Sequence, residues 1–225
     1  MNLENDAPYK TYHSYDISKI AKRFSELDES VWYINTSRQA YGNGPHKHTT
    51  SIILNYCKGE PEIDKAKLLD TMNSTDSQYN HKIFNNYESY EDFSNAVKRI
   101  EKRSVDEQLS NYTDEIVKDL EEKFDGIAGL VVYPKMPAQT HIGQHIDRGY
   151  YLKTVHRLHV PIVTNPDVLF HIGDTKFHME EGRVYEINNQ QRHGVSNLGN
   201  THRIHLIVDI IPRKALPKEY ETKVY

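Results

Sequence analysis

The strongest constraint on the fold is the close series of short apolar or alternating segments in the C-terminal part of the chain. Gly residues and an Asn-Pro pair separate several of these segments, which lie at residues 128–133, 140–145, 155–163, 168–172, 176–179, 183–188, 193–198 and 202–211. Many short strands at close spacing are typical of a β-sandwich or barrel and not of βαβ units. We therefore predict a jelly-roll barrel in this part of the chain.

The N-terminal part has a different pattern, in which apolar residues recur at helical spacing over residues 14–29 and 105–124. Residues 51–56, SIILNY, are a clear strand candidate, and the acidic, amide-rich residues 70–92 are typical of a loop. The predicted fold class is therefore mainly β with N-terminal α. We expect a double-stranded β-helix, of the jelly-roll or cupin type, that is buttressed by helices.

We interpret residues 1–225 as a single catalytic domain, because a chain of this length buries one sizeable core and contains no internal repeat or linker. Residues 1–125 would form a helical and mixed support that also contributes to the mouth of a substrate site. Residues 126–212 would form the jelly-roll core, and residues 213–225 a C-terminal tail.

Composition excludes several classes of partner. The 28 basic and 32 acidic residues give a formal net charge of -4, which provides no general attraction to nucleic acid or to an anionic membrane. The single cysteine, Cys57, excludes an intrachain disulfide and fits a reducing compartment. The N-terminal sequence lacks the apolar stretch of a secretory signal, and no segment approaches the ~18 apolar residues of a spanning helix. We expect a cytoplasmic protein without nucleic-acid or membrane partners.

Three residues are candidate metal ligands. His145 and Asp147 lie two positions apart, and side chains at i and i+2 of a strand point to the same face. His193 follows 48 positions after His145, at the start of a later strand candidate. Two histidines and one carboxylate form a facial triad that leaves coordination positions open for a co-substrate and O2. We assign His145, Asp147 and His193 as the metal ligands and catalytic centre.

Other readings of these residues stay open at this point. The same residue types bind Zn2+, so a zinc-dependent hydrolase or a cupin-like isomerase is an alternative, although no E-x-x-H pair is present to supply a general base. A non-enzymatic metal- or ligand-sensing module on the same barrel is another. We expect several further histidines to be structural or solvent-facing, namely His46, His48, His141, His171, His178 and His202.

Arg203 favours iron and 2-oxoglutarate over these alternatives. It lies ten residues after His193, and strand alternation places Arg203, His205 and Ile207 on one face. A guanidinium inside a barrel needs an anionic partner, and the distal carboxylate of 2-oxoglutarate would supply one through a bidentate contact. A structural salt bridge to a buried acidic residue is the alternative.

The segment 155–163 adds two candidates by the same argument. Alternation places Arg157 and His159 on one face and His156 on the other. We assign the face with Arg157 and His159 to the barrel interior. The opposite register would place His156 there instead.

Four segments of the chain, in order, resemble the aspartyl/asparaginyl β-hydroxylase family of Fe(II)/2-oxoglutarate-dependent dioxygenases. The matching sequences are THIGQHID, RLHVPI, MEEGRVYEINN and RHGVSNLGNTHRIHLIVDI, at residues 140–147, 157–162, 179–189 and 192–210. A further segment, HKHTTSIILNY at 46–56, is similar to an upstream strand of small bacterial relatives.

The resemblance implies a site and a reaction. It implies that His145, Asp147 and His193 bind Fe(II), that Arg203 binds the distal carboxylate of 2-oxoglutarate, and that His159 lies near the same co-substrate. The implied reaction uses O2 to hydroxylate an unactivated carbon of an amino acid, or of a residue in a peptide or protein, and releases succinate and CO2. Asp147 makes the chain similar to the bacterial free-proline hydroxylases of the family, because the animal aspartyl/asparaginyl enzyme lacks the carboxylate ligand.

The resemblance also assigns Arg157 to substrate recognition. Once Arg203 is paired with 2-oxoglutarate, Arg157 would be a second cation near the iron, and we expect a substrate carboxylate or carbonyl to pair with it. Trp32, Arg38 and the turn at 42–44 are expected at the mouth of the barrel, where they would select between free and peptidyl substrates.

Overall fold

The computed structural model contains two antiparallel β-sheets that pack face to face, with helices on the outer side of the larger sheet. The structure describes residues 7–34, 45–57, 89–97, 100–102 and 104–218. The architecture is mainly β, with helices in the N-terminal half, and it is the predicted jelly-roll barrel. The fold-class prediction is confirmed.

The larger sheet has seven strands. In spatial order these are β1 (Tyr9–Ser14), β9 (Arg183–Ile187), β6 (His156–Val163), β11 (Arg203–Pro212), β4 (Gly126–Met136), β2 (Thr50–Cys57) and β3 (Ile100–Lys102). Three of its strands, β1, β2 and β3, therefore come from the part of the chain that precedes residue 126. The sequence pattern predicted β2 but neither β1 nor β3.

The smaller sheet has four strands. In spatial order these are β5 (Thr140–His145), β10 (His193–Asn197), β7 (Val168–Ile172) and β8 (Thr175–Phe177). Each strand predicted in the C-terminal part is present in one of the two sheets, with ends within three residues of the predicted ones.

The helices are short, apart from one. They are α1 (Ser18–Glu26), α2 (Tyr90–Val97), α3 (Glu107–Lys123) and α4 (Tyr150–Thr154), with 3₁₀ helices at Glu29–Tyr33 and Arg213–Ala215. Asp106 caps α3 by accepting a hydrogen bond from the Leu109 amide at 2.8 Å, and its carboxylate also pairs with Arg23 of α1 at 2.6 and 2.9 Å. One side chain thus starts α3 and joins it to α1.

Strand alternation separates the two faces of the central strands. Leu158, Val160 and Ile162 of β6 pack with the alternate residues of β11 against the buried faces of α1 and α3. The opposite faces of β6 and β11 therefore point between the two sheets, as the alternation predicted. A second apolar cluster, which includes Phe170 and Val195 of the smaller sheet, lies on that inner side.

Two predictions for the N-terminal region have different outcomes. Trp32 is only 2% exposed and packs beside Phe24 in the cluster between helices and sheet, so its predicted place at the barrel mouth is wrong. Arg38 and the turn at 42–44 lie outside the described residues. Most of the predicted loop at 70–92 also lies outside them, and its last residues begin α2. Among the residues described, no helix has the length and apolar character that crossing a membrane requires.

A buried carboxylate, Glu186, ties three elements together on the helix-facing side of the larger sheet. It accepts hydrogen bonds from the Tyr12 hydroxyl and the His156 ring, each at 2.6 Å. His156 therefore points away from the barrel interior, which excludes the alternative register of β6. Burial alone would raise the pKa of Glu186, but the hydrogen bonds from His156 and Tyr12 outweigh it and the pKa is lowered.

We expect Glu186→Gln to lower the free energy of unfolding by about 1–3 kcal/mol at pH 7, because a charge-assisted hydrogen-bond acceptor is lost. The folded-state pKa of Glu186 lies below its unfolded value, so this stabilisation is present above the unfolded pKa and is lost as the pH falls through the folded pKa. Urea unfolding at a series of pH values should show the difference from wild type shrinking in acid. Glu180→Gln, at an exposed position, is the control, and a difference that does not depend on pH would contradict the assignment.

Candidate metal centre

The three predicted ligands converge at one end of the space between the sheets. His145 ends β5, and it lies directly opposite His193 of the neighbouring strand β10. Asp147 follows two residues after β5. One ligand atom from each residue lies within 4.8 Å of the others, and Asp147 Oδ1 is 3.6 Å from His145 Nε2 and 3.9 Å from His193 Nε2.

Both imidazoles are held in the tautomer that a metal site needs. His145 Nδ1 lies 2.9 Å from the Gly143 carbonyl, and His193 Nδ1 lies 2.9 Å from the Gln191 carbonyl. A carbonyl only accepts hydrogen bonds, so each Nδ1 carries the hydrogen and donates it. Each Nε2 therefore presents a lone pair to the cluster, as ligating histidines with a backbone-bonded Nδ1 do.

Gly194 explains how the two histidine-bearing strands approach each other. A Cβ atom at this position would lie 2.7 Å from the Ile142 carbonyl oxygen and 3.3 Å from the Gln144 backbone. Any larger residue would push β10 away from β5. The His193-Gly194 pair is thus required for the close spacing of His193 and His145.

The electrostatics keep Asp147 and His193 in their metal-binding forms. Burial alone would raise the pKa of Asp147, but Arg157, His193 and His145 outweigh it and the pKa is lowered. Burial lowers the pKa of His193, and Asp147 opposes that effect only in part. At neutral pH, Asp147 is ionised and His193 is neutral, which are the forms that bind a metal ion.

The cluster fits a divalent transition metal. Two ligands that bind one ion at about 2.1 Å, on adjacent coordination positions, lie roughly 3.0–3.5 Å apart. The observed separations of 3.6 and 3.9 Å need only a small contraction to reach that range. Two imidazole nitrogens and one carboxylate oxygen suit Fe(II), and the side facing the pocket leaves coordination positions open.

Arg157 points into the interior as predicted, but it is already paired. Its Nε and Nη2 each donate to Asp209 at 2.8 Å, and its Nη1 donates to Asp147 Oδ2 at 2.5 Å. The two carboxylates outweigh burial and raise the pKa of Arg157. The premise that Arg157 needs a substrate anion for charge balance is therefore wrong, and its role in substrate recognition stays a prediction.

Arg203 and His159 lie on the same inner surface. Arg203 is only 2% exposed, its guanidinium lies 5.1 Å from the centre of the Phe170 ring, and its Nη1 is 3.9 Å from the Met136 sulfur. His159 packs edge-on against the same Phe170 ring. The interior face of β11 continues with His205, which stacks on Phe170 and has no hydrogen bond from either ring nitrogen within the described parts of the chain.

The pocket between these groups is strongly polarised. Among its described lining residues, every polar side chain is basic and the remaining residues are apolar. The basic residues are Arg157, Arg203, His46, His145, His159 and His193. Asp147 is not among these lining residues, and its Oδ1 atom lies 3.6 Å from His145 Nε2 and 3.9 Å from His193 Nε2. This surface is suited to an anionic ligand next to a metal ion.

His46 is a pocket residue that the sequence analysis missed. Its ring lies edge-on to that of His145, with 5.0 Å between ring centres, and it lines the pocket, a location that the sequence analysis did not predict. The two residues are 99 positions apart, and no local pattern predicts their contact. The other histidines of that group are exposed (His48, His141 and His202) or hydrogen-bonded within the small sheet (His171 and His178).

Fold and site together define a jelly-roll protein with a cluster of two histidines and one carboxylate, the arrangement that non-haem Fe(II) oxygenases use. The sequence profile described as Aspartyl/Asparaginyl beta-hydroxylase matches residues 70–212, which is more than half of the chain. The chain belongs to the aspartyl/asparaginyl β-hydroxylase family. A search of curated protein sequences gives no match.

Several solved structures are similar to this chain at low identity and with TM-scores below 0.5. A prolyl-4-hydroxylase from Pseudomonas putida has a TM-score of 0.43 and 12% identity, over 92% of this chain and 93% of that chain. The viral collagen prolyl hydroxylase of Paramecium Bursaria Chlorella virus-1 has a TM-score of 0.44 and 9% identity, over 91% and 96%. A 2OG-Fe(II) oxygenase family oxidoreductase from Burkholderia pseudomallei has a TM-score of 0.40 and 12% identity, over 50% and 59%. None of these similarities identifies a substrate for this chain.

We expect His145→Ala, Asp147→Ala and His193→Ala each to abolish tight binding of Co2+, used as a spectroscopic substitute for Fe2+, because each removes one of three ligands. Titration of the visible absorption band measures this, and circular dichroism checks that the fold is intact. His141→Ala is the matched control, because it removes an exposed histidine from the same strand, β5. Binding of Co2+ by His193→Ala at wild-type affinity would remove His193 from the ligand set.

Proposed function

We propose that the protein is an Fe(II)- and 2-oxoglutarate-dependent dioxygenase that hydroxylates an unactivated carbon of an amino acid, or of a residue in a peptide or protein. The observation that carries the proposal is the His145, Asp147 and His193 cluster, which opens onto a pocket with a basic polar lining. Membership of a hydroxylase family supports the same reaction class.

His145 Nε2, Asp147 Oδ1 and His193 Nε2 would hold the iron. When bound beside 2-oxoglutarate, Fe(II) would supply the redox chemistry that divides O2 between succinate and the hydroxylated product, with release of CO2. The protein's part is to hold the ligands in their binding forms and to position the two substrates. The apolar lining contributes by excluding water from the reacting centre, with Leu130 and Ile207 as two examples.

Arg203 is the residue that we assign to the distal carboxylate of 2-oxoglutarate. Its guanidinium is held in a buried position by the Phe170 ring and the Met136 sulfur, and it lines the same pocket as the metal cluster. A charge-assisted contact in this dry site would be strong. His159 is assigned to the same co-substrate, since its ring lies edge-on to the Phe170 ring that Arg203 also contacts.

We propose that Arg157 contributes to substrate recognition as a hydrogen-bond donor, and not, as the sequence analysis expected, as a cation whose charge the substrate must balance. A guanidinium has five N–H groups. Two of the hydrogens on its Nη atoms are not used in the three contacts with Asp147 and Asp209. A substrate carbonyl or carboxylate could accept them without disturbing either pair. His46, next to His145, is a second basic group on the substrate side of the metal cluster.

We expect Arg203→Ala to weaken binding of 2-oxoglutarate by about 2–4 kcal/mol, because a bidentate charge-assisted contact in a closed site is lost. The apparent KM for 2-oxoglutarate should rise accordingly, while Co2+ affinity stays close to wild type. Arg213→Ala, which removes an arginine that pairs with Asp125 outside the barrel, is the control. An unchanged KM would show that Arg203 has only a structural role.

The activity itself is tested by succinate formation from 2-oxoglutarate in the presence of Fe(II), O2 and a panel of free amino acids and peptides. We expect succinate that depends on both Fe(II) and 2-oxoglutarate, and a product heavier by one oxygen atom in the mass spectrum. His193→Ala is the inactive control. If no succinate forms under any condition while the protein binds Fe(II), a metal-sensing module replaces the enzyme as the better interpretation.

A further inference from the structure

We infer that Asp209 is a positioning residue for the metal centre. By binding two N–H groups of Arg157, it limits that guanidinium to one contact with Asp147, and so keeps Asp147 Oδ1 available to the metal. The inference rests on the proposed function only in that the cluster must bind a divalent metal.

The geometry divides the guanidinium between two carboxylates. Asp209 of β11 lies directly opposite Arg157 of β6 in the sheet, and it accepts from Nε and Nη2 at 2.8 Å each, which is the bidentate fork arrangement. Asp147 receives only Nη1, on its Oδ2 atom, at 2.5 Å. Its Oδ1 atom faces the two imidazoles instead.

The single contact between Arg157 and Asp147 differs from the arrangement that an arginine beside only one carboxylate would adopt. An unrestrained guanidinium prefers to bind both oxygens of a carboxylate, because two parallel N–H···O bonds are stronger than one. If Arg157 bound Asp147 in that way, both oxygens would be engaged and the metal would have to displace one of the two bonds. Asp209 binds the Nε and Nη2 edge and so fixes the orientation of the guanidinium, in which Asp147 accepts a hydrogen bond from Nη1 alone.

Burial makes Asp209 dependent on the same contact. Asp209 is 0% exposed, and a buried carboxylate without a cation would be strongly destabilised. Arg157 therefore uses Nε and Nη2 to bind Asp209, and only its Nη1 group contacts Asp147. The interior face of β11 thus contributes two residues to the site: Arg203, at the start of the strand, and Asp209, six residues later.

The test uses Asp209→Asn. An asparagine keeps the shape but offers one acceptor oxygen, and its amide group cannot face an N–H donor. We expect Arg157 to turn towards Asp147, and Co2+ affinity, measured by absorption titration without 2-oxoglutarate or O2, to fall about 10- to 100-fold. Glu186→Gln is the matched control: it removes another buried carboxylate from the opposite face of the sheet and should leave Co2+ affinity unchanged while it lowers stability.

A second variant separates positioning from a purely structural role. Asp209→Asn with Arg157→Met removes the cation that competes for Asp147, so Co2+ affinity should recover to within about tenfold of wild type. The double variant removes the buried charges of Asp209 and Arg157 together, and Asp147, which loses its contact with Arg157, is paired again when Co2+ binds. The double variant can therefore be tested if the single variant does not fold.

Either of two results would overturn the inference: wild-type Co2+ affinity in Asp209→Asn, or a loss in the double variant that equals or exceeds that of the single one. Because the readout is metal binding alone, a protein that binds Co2+ and shows this pattern but forms no succinate would contradict the proposed function and support the positioning role.

Discussion

The guanidinium of Arg157 joins two buried carboxylates, and the arrangement of the site depends on this contact. Charged groups between two packed sheets must find their partners there, because water is largely excluded. Asp209 lies on the neighbouring strand and Asp147 follows a strand of the other sheet, so one side chain connects both halves of the barrel. The contact also keeps Asp147 ionised and directs its free oxygen towards the two imidazoles.

Strand alternation was the most informative property of the sequence. It predicted which faces of β6 and β11 point inwards, which the structure bears out. The side chains of His145 and Asp147 also lie close together as predicted, although Asp147 follows the end of β5 and is not itself in a strand. These predictions succeeded because the periodicity of a strand is local and its apolar face must meet the helices. Asp209 lies on the same face as Arg203 by the same alternation, although its partner depends on the pairing of β6 with β11.

Features that depend on long-range contacts were not predictable. The pairing of Arg157 with Asp209 requires the register between two strands, and the contact of His46 with His145 joins residues 99 positions apart. Trp32 was placed at the mouth because of its position in the chain, whereas the structure packs it behind the sheet. β1 was missed because its residues are mostly polar and it is an edge strand that pairs only with β9 among the described strands.

We propose that one metal ion and one 2-oxoglutarate molecule share the inner surface between β5, β10 and β11. A crystal structure of the protein with Fe(II) and 2-oxoglutarate, grown without O2, tests it most directly. The expected electron density has the iron on His145 Nε2, His193 Nε2 and a single oxygen of Asp147, with the distal carboxylate of 2-oxoglutarate on Arg203. Iron bound elsewhere, or 2-oxoglutarate density away from Arg203, would contradict the claim.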